Sequence, residues 1–444
     1  MEAAVATARL VPDEPRPQPT FLGHPRGLAL LFLVEMWERF SYYGMRALLV
    51  LYLVNALKWD TARAANLYGS YTSLAYLTPL LGGYLADRFL GTRRSLVIGG
   101  ILIALGHFSL AMSSVFTFYL GLGLVIMGTG FFKPNVSTMV GQLYPQGDSR
   151  RDGGFTLFYM GINLGAFIAP LICGYLGERV GWHYGFGAAG VGMVLGLGLY
   201  LWGRDKYLPG LGAAPPGRKA RATMQVVRGA DDGKRVIALA IVFLFVIAFW
   251  AAFEQAGSSL NLFADKNTNR MVGSFLIPAS WFQVVNAGFI LLLAPVFALM
   301  WRRLGAMGRE PTTPMKMVIG LTLLGVGFVF MVIGGRLADA GFLVSPFWLV
   351  ATYFFHTTGE LCLSPVGLSY VTKVAPMRFA SFLMAGWFLA NGAGNKIAGS
   401  LAALSGRMSH GSFFTIFVVT SLAAAAILYL LVPRINRLTA AVRL

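Results

Sequence analysis

Twelve stretches of this chain are apolar for about twenty residues or more, and that repetition restricts the fold more than any other feature. They lie at about 28–57, 65–86, 94–112, 116–140, 155–177, 183–203, 236–260, 274–301, 315–334, 346–371, 380–404 and 410–433. A helix needs roughly 20 apolar residues to cross a hydrocarbon core about 30 Å thick, whereas a barrel strand needs only about 10. Lipid offers the backbone no hydrogen-bond partner, so segments of this length satisfy themselves as helices. With 56% hydrophobic and 12% charged residues, the chain is expected to be an all-α, multi-pass membrane protein.

The one long interruption, 204–235, is rich in Pro, Gly, Arg and Lys and divides the spans six and six. The expected organisation is therefore a cytoplasmic tail (1–27), a six-helix bundle (28–203), a cytoplasmic linker (204–235), a second six-helix bundle (236–433) and a short cytoplasmic tail (434–444). The first residues do not read as a cleaved secretory signal, because they carry Asp13, Glu14 and several prolines before a run too long for a signal core.

Basic residues set the orientation. With the N-terminus inside, Arg93, Arg94, Arg150, Arg151, Arg302, Arg303, Arg434, Arg437 and the linker cations share the inner side, leaving only Lys58, Arg63, Arg179, Lys266, Arg270, Arg336 and Arg407 outside. The net charge of +18 is then an orientation device that also binds anionic headgroups, and no nucleic acid is needed to explain it. Cys173 and Cys362 both sit in apolar spans, and the five histidines form no metal-ligand spacing, so neither a disulfide nor a metal is expected.

Charge inside the spans is the functional signal. In the first, Glu35, Glu38, Arg39, Tyr42 and Arg46 fall on one narrow helical stripe with Tyr43 at its edge, about 16 Å long from Glu35 to Arg46. An ionisable group at mid-bilayer costs roughly 2.5–3.5 kcal/mol on the insertion scale, so this stripe should face a wet, protein-lined space. Lys133, Lys396, Glu254 and Glu360 complete the intramembrane charges, four basic and four acidic in all. The balance implies opposite partners, but spacing does not say which pairs with which. Arg39, Arg46 and Lys133 offer fixed positive charge to a ligand's carboxylate, and Glu360 offers a carboxylate to a ligand's ammonium. Ser364 shares a helix face with Glu360, and Pro365 beside it predicts a local bend. Asn163 and Asn286 can each donate to and accept from an amide, and Tyr43, Tyr76, Tyr159, Trp250 and Trp387 can form adaptable walls. His356 either tunes Glu360 or simply packs, and Lys396 either pairs or snorkels.

The loop Gly82-Gly83-Tyr84-Leu85-Ala86-Asp87-Arg88-Phe89-Leu90-Gly91-Thr92-Arg93-Arg94 resembles the signature loop of the major facilitator superfamily. The resemblance implies two six-helix bundles rocking about a central site, with Asp87 and Arg88 holding neighbouring helices in one conformation and releasing them in another. Within that superfamily, Glu35-Met36-Trp37-Glu38-Arg39 resembles the first-span motif of the proton-coupled oligopeptide transporter family. The segments 128–135, 158–165, 249–255 and 359–365 resemble its fourth-, fifth-, seventh- and tenth-span signatures, in order and over nearly the whole chain. The resemblance implies a symporter of di- and tripeptides with protons as the coupling ion and no other cofactor, a monomer in the cell (inner) membrane. It assigns proton coupling to Glu35, Glu38, Arg39 and Glu254, pairs Glu254 with Arg46 and Lys133 with Glu360, and puts the peptide C-terminus on Arg46 and Lys133.

This sequence departs from the family in three ways. The 204–235 segment is too polar to hold the two extra helices of many bacterial members. The second span lacks the histidine of animal members, and no large outer domain fits between spans nine and ten. A proton-coupled importer of another anion, such as nitrate, is the nearest rival; an intramembrane enzyme has no supporting motif, and against a passive channel the charges of opposite sign point to a gated cycle.

Overall fold

The computed structural model describes residues 20–21, 23–145, 148–212, 231–376 and 379–440. Most of the 1–27 tail, residues 213–230 of the linker and the last four residues lie outside the described residues.

Among the described residues there are twelve long helical segments, one over each expected span. The first half holds α1 (Arg26–Leu51), α2 (Thr61–Leu85), α3 (Thr92–Leu110), α4 (Val115–Gln142), α5 (Arg151–Ala169) and α6 (Trp182–Tyr207). The second holds α7 (Asp232–Phe253) with its short continuation α8 (Ser259–Asn267), α9 (Val284–Ala306), α10 (Thr313–Asp339), α11 (Phe347–Val374), α12 (Ala380–Ala402) and α13 (His410–Leu438). Eight of the segments are long and apolar enough to cross a membrane by length and composition. The other four, α1, α2, α11 and α12, carry many of the polar and ionisable residues, which lowers their hydropathy.

Several helices run past the apolar stretch because their ends are satisfied locally. The Asp60 side chain accepts from the Arg63 amide at 2.9 Å, so α2 starts four residues before the expected 65. The seventh span differs more. It breaks at a 3-10 turn, Glu254–Gly257, before resuming as α8. Gln255 stabilises the break by donating to the Ala251 and Ala398 carbonyls, at 3.1 and 3.0 Å.

In the first half α1 is packed between α5 and α6, and α3 and α4 lie against each other. In the second, α10 packs on α11 and α13, and α7 on α12. Lipid supplies no hydrophobic drive between helices, so close approach relies on small residues. A Cβ on Gly99 of α3 would sit 2.7 Å from the Gly128 carbonyl oxygen of α4.

The halves meet mainly through α2 with α12 and α5 with α9. Their hydrogen bonds cluster toward the end of the molecule that carries Leu57, Lys266 and Arg407. There Asn55 donates to Asp265 at 2.8 Å, and Asn261 of α8 donates to the Ala47 carbonyl of α1, also at 2.8 Å. Glu178, just beyond α5, accepts from the Ala279 and Ser280 amides and the Ser280 hydroxyl at 2.7, 2.9 and 2.5 Å, with Arg270 at 3.7 Å. At Gly69 of α2 an added Cβ would stand 2.7 Å from Gly399 Cα of α12. Overpacking such a contact costs about 1–3 kcal/mol. Gly69→Leu is therefore expected to prop this end open and reduce disulfide formation between Asn55→Cys and Asp265→Cys. Crosslinking equal to that of the Gly69 protein would show that the contact does not govern closure.

In the signature loop, Asp87 is exposed and makes none of the ion pairs seen among the described residues, while Arg88 donates to the Tyr84 hydroxyl at 2.7 Å. The helix-tying role expected of these two residues falls in this conformation to Arg93. Arg93 pairs with Asp205 at 2.9 Å and donates to the carbonyls of Leu211, at 2.6 Å, and Leu208.

Candidate functional site

A cavity of about 280 Å³ lies between the two halves. Arg46 and Tyr43 reach it from α1, Tyr76 from α2, Lys133 from α4, and Tyr159 and Asn163 from α5. From the second half come Trp250 and Glu254 at the end of α7, Asn286 from α9, Glu360 and Ser364 from α11, and Trp387 from α12.

The charges are organised in three groups. Arg46 is 8% and Glu254 2% exposed, and the two form a salt bridge that crosses from one half to the other. Arg46 Nε also donates to the Tyr68 hydroxyl at 2.5 Å. The break after Phe253 puts Glu254 at the start of its 3-10 turn, beside the cavity.

Glu35, Glu38 and Arg39 form the second group. Arg39 Nη2 donates to Glu38 at 2.7 Å, and its Nε lies 3.1 Å from Glu35. The guanidinium also stands 5.2 Å from the Tyr42 ring centroid. All three are buried next to the cavity rather than in its wall, where Gly165 of α5 allows close approach to the α1 backbone at Met36. The second carboxylate oxygen of Glu35 has no hydrogen-bond partner among the described residues. Lys133 lies within electrostatic range of this triad and so links it to the cavity.

The third group corrects an expectation. Lys133 and Glu360 do not pair in this conformation: Lys133 Nζ stands 4.3 Å from the Tyr76 ring centroid, and Glu360 accepts from Asn286 at 3.0 Å. Both side chains line the cavity, with no ion pair between them among the described residues. Asn286 is correspondingly not a free amide donor. Its Nδ2 is shared between Glu360 and the Thr357 hydroxyl, each at 3.0 Å, and so orients the carboxylate. Asn163 uses one donor on the Tyr159 carbonyl at 2.9 Å. Among the described residues the Trp250 indole N–H has no hydrogen-bond partner, which leaves it available to a ligand carbonyl.

Two residues left open by the sequence now have clear surroundings. His356 packs among Phe328 and Phe253, with ring centroids 4.5 and 6.1 Å away. Lys396 of α12 donates to the Ser70 hydroxyl of α2 at 2.8 Å. Sequence reasoning missed Tyr68, Gln283, Tyr353 and Asn391, of which all but Tyr68 line the cavity. Tyr68 was within reach of argument, because an arginine has five donors and one carboxylate cannot absorb them all.

A cavity with Arg46 and Lys133 on one half, and Glu254 and an Asn286-held Glu360 on the other, suits a small ligand bearing both charges. A model of the POT family matches residues 93–210 and 210–416. The peptide transporter YePEPT of Yersinia enterocolitica is 39% identical, over 94% of this chain and 96% of its own length. The chain belongs to the POT family. Other similarities agree. A transporter of Bacillus subtilis, YclF, is also 39% identical, over 95% of this chain and 96% of its own. The crystal structure of a peptide transporter POT in complex with sulfate superposes with a TM-score of 0.89 at 39% identity, covering 95% of this chain and 97% of that one. As a POT family member the chain is a multi-pass membrane transporter of the major facilitator type, not an enzyme.

Proposed function

We propose that this protein takes up di- and tripeptides in symport with protons, by alternating access, as a monomer in the cell membrane with both termini cytoplasmic. The observation that carries the reading is a single cavity with Arg46 and Lys133 on one half of the molecule and an Asn286-held Glu360 on the other. Arg46 and Lys133 would take the peptide carboxylate and Glu360 its ammonium, each as a charge-assisted hydrogen bond. Asn163 and the Trp250 N–H would meet the amides between them. A ligand held at both ends draws the halves together, so binding itself favours closure.

Relatives support the substrate class. Di-/tripeptide transporters of Lactococcus lactis are 36% identical over 96% of this chain. A POT family transporter 32% identical to it has been solved with a thioalcohol-conjugated peptide. Under the positive-inside reading the end tied by Asn55, Asp265 and Glu178 is the outer one, and this conformation opens inward.

Proton coupling follows from the buried acids. A proton on Glu254 would free Arg46 for the substrate, and one on Glu38 would loosen Arg39. Each proton moving inward gains about 2.3 kcal/mol per 100 mV of inside-negative potential. The test is radiolabelled dipeptide uptake into proteoliposomes with an acidic exterior. The expected result is accumulation above the outside concentration that an uncoupler abolishes. Uptake indifferent to the gradient, or driven only by nitrate exchange, would overturn the proposal.

A further inference from the structure

A second cavity, about 250 Å³, opens on the outer surface of the first half between α1 and α6. Its walls are almost wholly apolar, built from Leu30, Leu33, Leu199 and Trp202, and its rim carries Arg26 and Tyr207. Leu33 and Trp202 are 40% and 67% exposed, so the groove faces the space that lipid fills.

Its rim is cationic. Arg26 is exposed and has no acidic partner among the described residues. Lys206 Nζ stands 5.2 and 6.0 Å from the Tyr207 and Trp202 ring centroids. The acid nearest in sequence, Asp205, is already engaged by Arg93 at 2.9 Å and lies 3.6 Å from Arg204. Among the described residues, two cations are thus left over where a tryptophan and a tyrosine mark the level of the membrane interface. An apolar slot beneath an uncompensated positive rim matches one occupant: an acyl chain below a phosphodiester headgroup.

We infer that the α1–α6 groove is a binding site for an anionic phospholipid, whose headgroup is held by Arg26 and Lys206 and whose acyl chain lies along Leu33, Leu199 and Trp202. Lys206 is steadied against its two rings, which reduces the freedom lost when it binds the headgroup. Occupancy would bridge the first and last helices of the first half. The inference depends on the chain being embedded in a membrane, not on the nature of its transported substrate.

Native mass spectrometry of the full-length protein in neutral detergent tests it, with phosphatidylglycerol and phosphatidylcholine of identical acyl chains as probes. The protein should retain phosphatidylglycerol in preference, and Arg26→Gln/Lys206→Gln should reduce that preference roughly 10- to 30-fold, the order expected of two basic residues near an anionic surface. Ala29→Trp, which fills the groove without altering charge, should reduce retention of both lipids. Arg434→Gln/Arg437→Gln, at the corresponding end of the other half, should leave the preference intact. A preference unchanged in the Arg26/Lys206 variant, or lost equally in the Arg434/Arg437 variant, overturns the site. Retention unaffected by Ala29→Trp, or displaced by millimolar inorganic phosphate, overturns the acyl-chain assignment.

Discussion

Arg46→Ala is expected to abolish peptide transport and to destabilise the protein by about 3–5 kcal/mol, the usual cost of removing one partner from a buried ion pair. Glu254 would be left 2% exposed with its cation gone, and the Tyr68 hydroxyl would lose its donor. Adding Glu254→Gln removes the stranded charge, so Arg46→Ala/Glu254→Gln should regain most of the stability. It should not regain transport, because the proposed carboxylate site remains vacant. Thermal melting in detergent, paired with uptake in proteoliposomes, separates the two effects. A single variant as stable as the parent would show that the pair contributes nothing to the resting state. Transport by the double variant would remove Arg46 from substrate binding.

For Glu38→Gln the expected loss is in energy coupling. A gradient of one pH unit with 100 mV supplies about 3.7 kcal/mol per proton, a ceiling of roughly 500-fold accumulation. The variant keeps the shape and much of the hydrogen bonding around Arg39 but cannot take up and release a proton. Its accumulation ratio should fall to about one while exchange of labelled for unlabelled peptide persists. Undiminished accumulation would take Glu38 out of the proton path, and the loss of exchange as well would assign it to closure of the transporter.

Much of this architecture was readable because membrane folding obeys few rules. Apolar length located all twelve helical segments, and the cost of intramembrane charge singled out Arg46, Lys133, Glu254 and Glu360, which line one cavity. What escaped was pairing. Glu360 is held by Asn286 and Lys133 rests over Tyr76, partners on other helices that spacing along one helix does not display. The break after Phe253 also escaped, since nothing in a run ending in Gly257 reveals that Gln255 can satisfy carbonyls on two helices. The Glu178 contact was hidden for a similar reason: its partners are mainly backbone amides of Ala279 and Ser280, which no side-chain pattern displays.

The central claim is that each end of a peptide is held by a different half of the protein. Dipeptide and its N-acetylated form should be compared for affinity in the parent protein, Glu360→Gln and Lys133→Ala. The account predicts that acetylation weakens binding to the parent and to Lys133→Ala, yet makes little further difference in Glu360→Gln, where the ammonium has already lost its carboxylate. Lys133→Ala should weaken both ligands alike. Equal sensitivity to acetylation in all three proteins, or unchanged affinity in Lys133→Ala, would contradict it.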